Sequence, residues 1–195
     1  MVDRQRRVTS RFFEDYYWER NTVSNMMLRT GVARAPVQAT RASTPHLDVT
    51  AYPSDASVAP GTRLSLVLDV TPKPGIHVYA PGATQYRVIT LNITPQPGVR
   101  TMPIRYPESE IYHFVPLNER VAVYQKPFTL LVEAVAEGTA EARKAMAGKN
   151  ELTISGTLEY QACDEDLLQP GVAAAFVEGC DDAKCSGSAR GEVRS

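Results

Sequence analysis

From position 47 onward, apolar and polar residues alternate in short runs, which is the period of a β-strand with one buried face. Turns that contain proline and glycine separate the runs, as at Pro72-Lys-Pro-Gly. One run places four aliphatic residues on a single face: Leu64, Leu66, Leu68 and Val70. About seven or eight such runs over residues 47–170 predict a mainly-β chain folded as an antiparallel β-sandwich, with its core between two sheets.

The first 31 residues follow a helical period instead. Apolar residues recur there at spacings of four, seven and four: Phe12, Tyr16, Val23 and Met27. Their neighbours Phe13, Tyr17 and Met26 widen the same stripe. Thr9 or Ser10 can cap the start of a helix, and Gly31 suits its end. We therefore predict an amphipathic helix from about Ser10 to Arg29, whose aromatic face must dock on another surface.

Two further segments show neither the strand period nor the helix period. Residues 32–46 are rich in Ala, Pro, Thr and Arg, and we interpret them as a linker. Residues 171–195 hold one small apolar patch followed by a polar stretch with Gly and Ser, which predicts an irregular tail. The expected domain organisation is thus a helical segment over 1–31, a linker, a sandwich over 47–170 and a tail.

Composition narrows the functional classes. The 195 residues carry 21 basic and 22 acidic side chains, a net charge of −1, which argues against nucleic acid as a partner. No apolar run approaches the ~18 residues of a membrane span. The charged N-terminus lacks the apolar stretch of a signal peptide, so a cytoplasmic location is compatible with the sequence as written. No glycine-rich phosphate loop stands out, so no cofactor is expected.

Candidate chemistry lies in the string Leu158-Glu-Tyr-Gln-Ala-Cys-Asp-Glu-Asp, where an alternating strand delivers Cys163 directly before three acids. A thiolate is the nucleophile in disulfide exchange, although neighbouring carboxylates disfavour it through like charge. The other cysteines are Cys180 and Cys185, and the odd total excludes complete internal pairing. Their spacing lacks the short pairs that structural zinc prefers, so no metal site is expected.

The same string resembles the strand end of the N-terminal domain of the DsbD thiol:disulfide interchange proteins, through Tyr-Gln-Ala-Cys-Asp at 160–164. Two further stretches are similar to that family, Gly75-Ile-His-Val-Tyr and the Tyr-Pro segment at Tyr106 with the strand that follows. The resemblance covers about Leu47 to Pro170. It implies an immunoglobulin-like module of the periplasm or cell envelope with protein-disulfide reductase activity. Such a module relays electrons between a thioredoxin-like domain or protein and thiol or disulfide protein substrates.

The resemblance also implies a site. Cys163 is the redox thiol, and a second cysteine a few residues later resolves the mixed disulfide that the first one forms. A cap loop shields the pair, and here it falls at Tyr112 to Arg120 with Phe114 or Leu117 as its apolar lid. Four residues are expected close to the thiol: His77, Tyr79, Tyr160 and Asp164.

The sequence departs from the family where the second cysteine should stand. Leu168 occupies that position, with Pro170 shortly after it. A lone Cys163 can form a mixed disulfide but cannot release its partner, so we predict an impaired relay. One hypothesis is a one-nucleotide frameshift near Asp166 to Leu168, because the shifted frame permits a cysteine at position 168 and a strand with Pro, Ser and Trp. The coding DNA tests this.

Other interpretations stay open. Cys180 and Cys185 also enclose four residues and could form a substitute redox pair. The sandwich could be a binding or adaptor module without catalysis, with Cys163 as a small buried hydrophobe. Residues 1–31 resemble the C-terminal end of a peroxiredoxin or thioredoxin-like domain, so the chain could be a truncated fragment of a thioredoxin-like/DsbD-type fusion. A solitary helix packed on the sandwich is the other interpretation of that segment.

Overall fold

The computed structural model describes residues 5–8, 19–32, 36, 38–114, 118–163 and 168–180, the last range by its backbone alone. One six-stranded sheet contains β1 (Arg20–Asn21), β2 (Thr40–Ser43), β3 (Leu47–Pro53), β4 (Thr62–Pro72), β7 (Val99–Thr101) and β10 (Phe128–Ala136). Its order is β2-β3-β4-β10-β7, with β1 beside β4. We call this the first sheet.

The second sheet also has six strands: β5 (His77–Tyr79), β6 (Thr90–Ile93), β8 (Glu110–Phe114), β9 (Glu119–Tyr124), β11 (Glu151–Cys163) and β12 (Leu168–Cys180). Its order is β12-β11-β5-β9-β8, with β6 also paired to β11. Among the described strands every pairing is antiparallel except that of β1 with β4. The mainly-β, immunoglobulin-like sandwich expected from the sequence is confirmed.

The core lies between the sheets and follows the alternation of the sequence. On β4 the four aliphatic residues of the predicted face are all buried in it. Leu158 and Tyr160 of β11 close the core from the other sheet, at 0% and 1% exposure. Close packing extends to the backbone: a Cβ on Gly156 would lie 2.9 Å from the carbonyl oxygen of Asn92, so β6 can pair here only because residue 156 is glycine.

The N-terminal helix differs from the prediction. The structure has strand β1 at Arg20–Asn21 and a seven-residue helix α1 at Val23–Arg29, so a continuous helix from Ser10 to Arg29 is wrong. Thr22 caps α1 by accepting a 2.9 Å hydrogen bond from the backbone N–H of Asn25. Val23, placed in the apolar stripe, is 71% exposed. The aromatic half of the stripe, at 11–18, lies outside the described residues.

Helix α1 instead docks through polar groups on the outer face of the first sheet. Asn25 is fully buried, and its side-chain oxygen accepts a 2.6 Å hydrogen bond from the Ser65 hydroxyl of β4. Beside it lies an ionic cluster, defined here as Glu19, Arg29, Arg63, Arg100, Arg105 and Glu133. Arg63 joins both acids, with nitrogen–oxygen distances of 2.8 Å to Glu19 and 3.4 Å to Glu133. The sandwich therefore supplies the docking surface of α1, while the aromatic residues for which a docking surface was expected lie outside the described residues.

Two further expectations need correction. Within the supposed linker, Thr40–Ser43 forms β2 and pairs with β3, because an edge strand can add to the sheet through backbone hydrogen bonds whatever its side chains. Within the supposed irregular tail, the backbone continues as β12 to Cys180 and pairs with β11 along its whole length. Residues 181–195 lie outside the described residues. Helix α2 (Ala140–Met146) lies in the connection between β10 and β11.

Candidate functional site

Cys163 is the last residue of β11 and sits between two neighbouring strands. Across from it on one side is His77 of β5, and across on the other side is Leu168 of β12. Because side chains alternate along a strand, Cys163 points away from the core that Tyr160 and Ala162 fill. The cysteine is half-buried on the outer face of the second sheet.

An aromatic cluster surrounds the sulfur. Tyr79, Val121 and Val123 are buried, and Tyr86, Tyr112 and Cys163 pack against them. The rings of Tyr79 and Tyr86 stack with centroids 4.0 Å apart and an interplanar angle of 2°. His77 contacts Tyr112 at 4.6 Å between centroids and meets Tyr79 edge-on at 5.5 Å. The thiol thus lies on a small apolar and aromatic platform of the kind that shields a reactive group from water.

Tyr79 and Tyr86 both lie close to the cysteine. Burial, followed by the proximity of Cys163 and Tyr86, holds the pKa of Tyr79 above its ordinary value. The Tyr86 hydroxyl donates a 2.6 Å hydrogen bond to Oε2 of Glu119, and that bond is the main reason why the pKa of Tyr86 is raised. Both phenols therefore stay protonated at neutral pH and can act as donors.

The described residues of the predicted cap from Tyr112 to Arg120 belong to two paired strands, which we call the hairpin; residues 115–117 lie outside the described residues. Strands β8 and β9 pair from Glu110↔Val123 to Phe114↔Glu119. Tyr112 is the hairpin residue that packs against the site, whereas Phe114 is half-buried opposite Glu119 and is not among the side chains of the cluster. Leu117 lies outside the described residues.

Position 168 stands directly across the β11–β12 pair from Cys163. Residues that face each other in an antiparallel pair have Cα atoms about 4.5–5.5 Å apart and point to the same side of the sheet. That separation lies inside the range that a disulfide can bridge. The backbone at 163 and 168 therefore has the register of a cross-strand cysteine pair, although the residue at 168 is leucine.

The remaining candidates fall in different places. Tyr160 lies on the opposite face of β11, buried in the core, where its hydroxyl is 2.8 Å from Oγ1 of Thr44, so it does not line the site. Cys180 ends β12 opposite Glu151, twelve positions from the Cys163 pair, or about 40 Å along the strand. Asp164 and Cys185 lie outside the described residues.

Sequence reasoning missed Tyr86 and Glu119. Tyr86 belongs to no quoted motif, Glu119 falls within the predicted cap without a role of its own, and the two residues are 33 positions apart in the chain. The only available signal was the tyrosine in Ala83-Thr-Gln-Tyr-Arg, a loop directly after β5. Their contact depends on the fold, because the loop and β9 approach each other only once β5 pairs with β9.

Within the described residues no cluster of His, Cys, Asp and Glu has the arrangement of a metal site. Neither α1 nor α2 has the length and apolar character needed to cross a membrane, and the described part of the chain contains no other helix. The chemistry available at the site is thus that of the Cys163 sulfur and the groups that hydrogen-bond near it.

Comparison with known proteins identifies a family. The family model described as "Thiol:disulfide interchange protein DsbD, N-terminal" matches residues 46–168, more than half of the chain. Among solved structures, the N-terminal periplasmic domain of ScsB from Proteus mirabilis matches with a TM-score of 0.51 at 13% identity, over 73% of this chain and 51% of that one. The chain thus spans about half the length of that relative, and at this identity the likeness supports the fold alone.

The reduced N-terminal domain of DsbD from Neisseria meningitidis matches with a TM-score of 0.38 at 13% identity, over 60% of this chain and 78% of that one. No curated protein sequence matches this chain significantly. The family match includes the strand that carries Cys163, its partner strand β5 and position 168. This chain therefore belongs to the family of DsbD N-terminal domains, whose shared chemistry is thiol:disulfide interchange.

Proposed function

We propose that the outer face of the second sheet exchanges thiols and disulfides with a thioredoxin-like partner in the periplasm, with Cys163 as the attacking sulfur. The observation that supports this best is the position of Cys163, a half-buried thiol at a strand end, in the same cluster as the buried Tyr79 and directly opposite position 168. The family match supplies the reaction class. The family supports the thioredoxin-like partner. The family and the periplasmic ScsB relative support the periplasmic location.

The chemistry has two steps, and this chain supplies residues for one. The Cys163 thiolate attacks one sulfur of a partner disulfide, a mixed disulfide forms, and the other partner sulfur leaves as a thiolate. A second thiol at position 168 would then attack the Cys163 sulfur, release the partner as a dithiol and leave a 163–168 disulfide. Leu168 cannot do this, so the mixed disulfide reverts when the expelled thiolate attacks back. The relay is therefore impaired at its resolving step.

A restored cysteine tests the proposal. In a background with Cys180 and Cys185 replaced by serine, Leu168→Cys is expected to form a disulfide with Cys163 under mild oxidation, seen as a loss of two thiols on titration. It should then be reduced by thioredoxin and catalyse turnover of a disulfide substrate. Val172→Cys is the matched control, because it lies on the same strand opposite Glu159 and is too far from Cys163 to pair.

The outcomes separate the alternatives. If Leu168→Cys forms the bond and turns over substrate while Val172→Cys does not, the site is an interchange site that lacks its resolving thiol. If the bond forms but no exchange with thioredoxin follows, the sandwich is a binding module whose cysteine is structural. If no bond forms, the register between β11 and β12 in solution differs from that described here, and the proposed role of position 168 is wrong.

A further inference from the structure

His77 is a buried titratable side chain beside the sulfur, and the exchange steps described above do not use it. It stands directly opposite Cys163 in the antiparallel pair of β5 and β11. Residues that face each other in such a pair have Cβ atoms about 4.5–5.5 Å apart and point to the same side of the sheet. The imidazole and the thiol therefore project next to each other from the outer face of the second sheet.

Aromatic rings hold the His77 side chain in place. It is only 5% exposed. Its ring lies 4.6 Å from the ring of Tyr112 between centroids, at an interplanar angle of 33°, and meets Tyr79 edge-on at 5.5 Å. Both tyrosines belong to the same cluster as Cys163. An imidazole packed in this way cannot turn out into solvent without losing both ring contacts, so it stays beside the sulfur.

These surroundings favour a pair of opposite charges over a single charge. Burial disfavours an isolated imidazolium and an isolated thiolate alike, whereas an opposite charge within ~4–6 Å favours the charged form of each. The Tyr112 ring acts in the same direction, because an aromatic face attracts a cation that lies within ~6 Å of its centroid. The thiol proton can therefore move to the imidazole without leaving either charge uncompensated.

We propose that His77 accepts the proton of Cys163, so that the reacting species is an imidazolium–thiolate pair packed against Tyr112. The proton passes from the sulfur to a ring nitrogen, and the thiolate attacks one sulfur of the partner disulfide. The partner S–S bond breaks, a bond between Cys163 and the partner forms, and the expelled sulfur leaves with the electron pair. That sulfur then takes the proton from His77. The inference deepens the proposed exchange function and rests on it for its biological meaning.

Other titratable groups face the pair from the neighbouring strands. They are Tyr79 on β5, Tyr112 and Glu110 on β8, Glu119 on β9 and Glu159 on β11, while Asp164 to Asp166 follow in the chain outside the described residues. The three glutamates have partners of their own, which are Lys126, Tyr86 and Arg87. Burial raises the pKa of Tyr79, so its phenol keeps its proton. An imidazole, by contrast, changes its charge near neutral pH.

The pH dependence of the alkylation of Cys163 by iodoacetamide tests the proposal, in the background with Cys180 and Cys185 replaced by serine. His77→Gln keeps a polar side chain that takes up no proton. We expect it to move the midpoint of the profile to higher pH and to lower the rate at neutral pH by about 10-fold, since only the thiolate reacts. His113→Gln is the matched control, because His113 is exposed beside Asn118 and its loss should leave the profile unchanged.

Substitutions of Tyr112 test the aromatic support of the imidazolium. Tyr112→Phe keeps the ring face and removes the hydroxyl, whereas Tyr112→Leu removes the ring face as well. We expect the rate at neutral pH to be about 3-fold lower in Tyr112→Leu than in Tyr112→Phe, with the midpoint moved in the same direction as in His77→Gln.

The imidazole should respond to the loss of the thiol in turn. Serine keeps its proton, so Cys163→Ser removes the anionic partner of His77, and the ring should release its proton at lower pH than in the parent protein. The ring C–H signals in nuclear magnetic resonance spectra measure this titration, with His46 and His113 as references in the same spectrum. This measurement leaves His77 in place, so it remains decisive if His77→Gln fails to fold.

The proposal is overturned if His77→Gln leaves the alkylation midpoint unchanged or moves it to lower pH, or if Cys163→Ser leaves the titration of His77 unchanged. A change of rate at every pH without a shift of the midpoint would show that His77 only packs against the site, which also overturns it. Neither measurement requires a redox partner. The inference can therefore fail while Leu168→Cys succeeds in exchange, and it can hold while exchange fails.

Discussion

The two outer faces of the sandwich use buried polar groups in opposite ways. On the first sheet, full charges close the face: Arg63 and Glu133, at 5% and 4% exposure, pair with each other and hold Glu19 of the N-terminal segment. On the second sheet, neutral phenols surround a half-buried sulfur. Removing one member of a buried ion pair is costly, whereas neutral hydroxyls can exchange partners at little cost. We therefore expect the ionic cluster of the first face to resist substitution more strongly than the side chains around the sulfur on the second face.

The largest loss of stability is expected when Arg63, which pairs with both acids of the ionic cluster, is replaced. Arg63→Ala leaves two carboxylates partly uncompensated in a buried site and should lower the free energy of unfolding by about 3–5 kcal/mol. Chemical denaturation measures this. Arg87→Ala is the control, because its pair with Glu159 is exposed and should contribute less than ~1 kcal/mol. A loss of less than ~1 kcal/mol for Arg63→Ala would remove the distinction between the two faces.

Tyr52 on the outer face of the first sheet is expected to make the stability of the protein depend on pH above pH 10. Burial and a 2.9 Å hydrogen bond to Asp69 raise the pKa of Tyr52 to about 12. An unfolded tyrosine titrates near ~10, so the folded state binds this proton more tightly. The contribution to stability is complete below about pH 10, and about 2–3 kcal/mol is lost as the pH rises toward 12.

The test compares the free energy of unfolding between pH 10 and 12 for wild type and Tyr52→Phe. The variant should lose less stability over this interval, because it has no phenol to ionise at this position. Tyr106→Phe, at a half-buried tyrosine, is the control. Parallel curves for wild type and Tyr52→Phe would contradict the assignment.

A smaller effect is expected where α1 meets the first sheet. Asn25→Ala removes the acceptor of the Ser65 hydroxyl, and the free energy of unfolding should fall by about 1–2 kcal/mol. Val23→Ala lies on the same helix but is 71% exposed, and it should change stability by less than ~0.5 kcal/mol. Equal effects of the two substitutions would show that α1 is not held by its buried amide.

The smallest effect on stability is expected at the sulfur itself. Cys163→Ala should cost about 1 kcal/mol or less, because the side chain is small and half-buried. Leu158→Ala on the same strand, at 0% exposure, should cost about 2–5 kcal/mol. If Cys163→Ala lowers the free energy of unfolding as much as Leu158→Ala does, the cysteine is a structural core residue. The second face would then be a closed structural surface like the first.

Sequence patterns located the strands well where one face is buried. Residues 47–53 form β3 as the alternation indicates, and β11 ends at Cys163 as its motif indicates. The pattern failed where backbone pairing or buried polar groups decide the structure. Strand β2 has no apolar alternation, and α1 docks through Asn25 rather than through Val23, so hydrophobic periodicity could not reveal either feature.

The site residues also fall into those that the sequence predicted and those that only the structure showed. The motif at 160–164 and the expectation of a partner position at 168 came from the sequence, and His77 and Tyr79 were expected near the thiol. Tyr160 was expected there too, but strand alternation turns it into the core. The contacts of Cys163 with Tyr79 and of Tyr86 with Glu119 join residues 84 and 33 positions apart in the chain, and no local pattern encodes such distances.

The sequence by itself determined the sandwich, the strand that carries Cys163 and the reaction class, because alternation and a compact motif are local properties of the chain. Only the tertiary structure decided which face holds the cysteine partners and which face is closed by charge. Those assignments depend on strand register and on side chains brought together from distant segments. The pairing of β11 with β5 and β12 brings His77 and position 168 to the two sides of the sulfur, and the hairpin brings Glu119 within reach of its tyrosines.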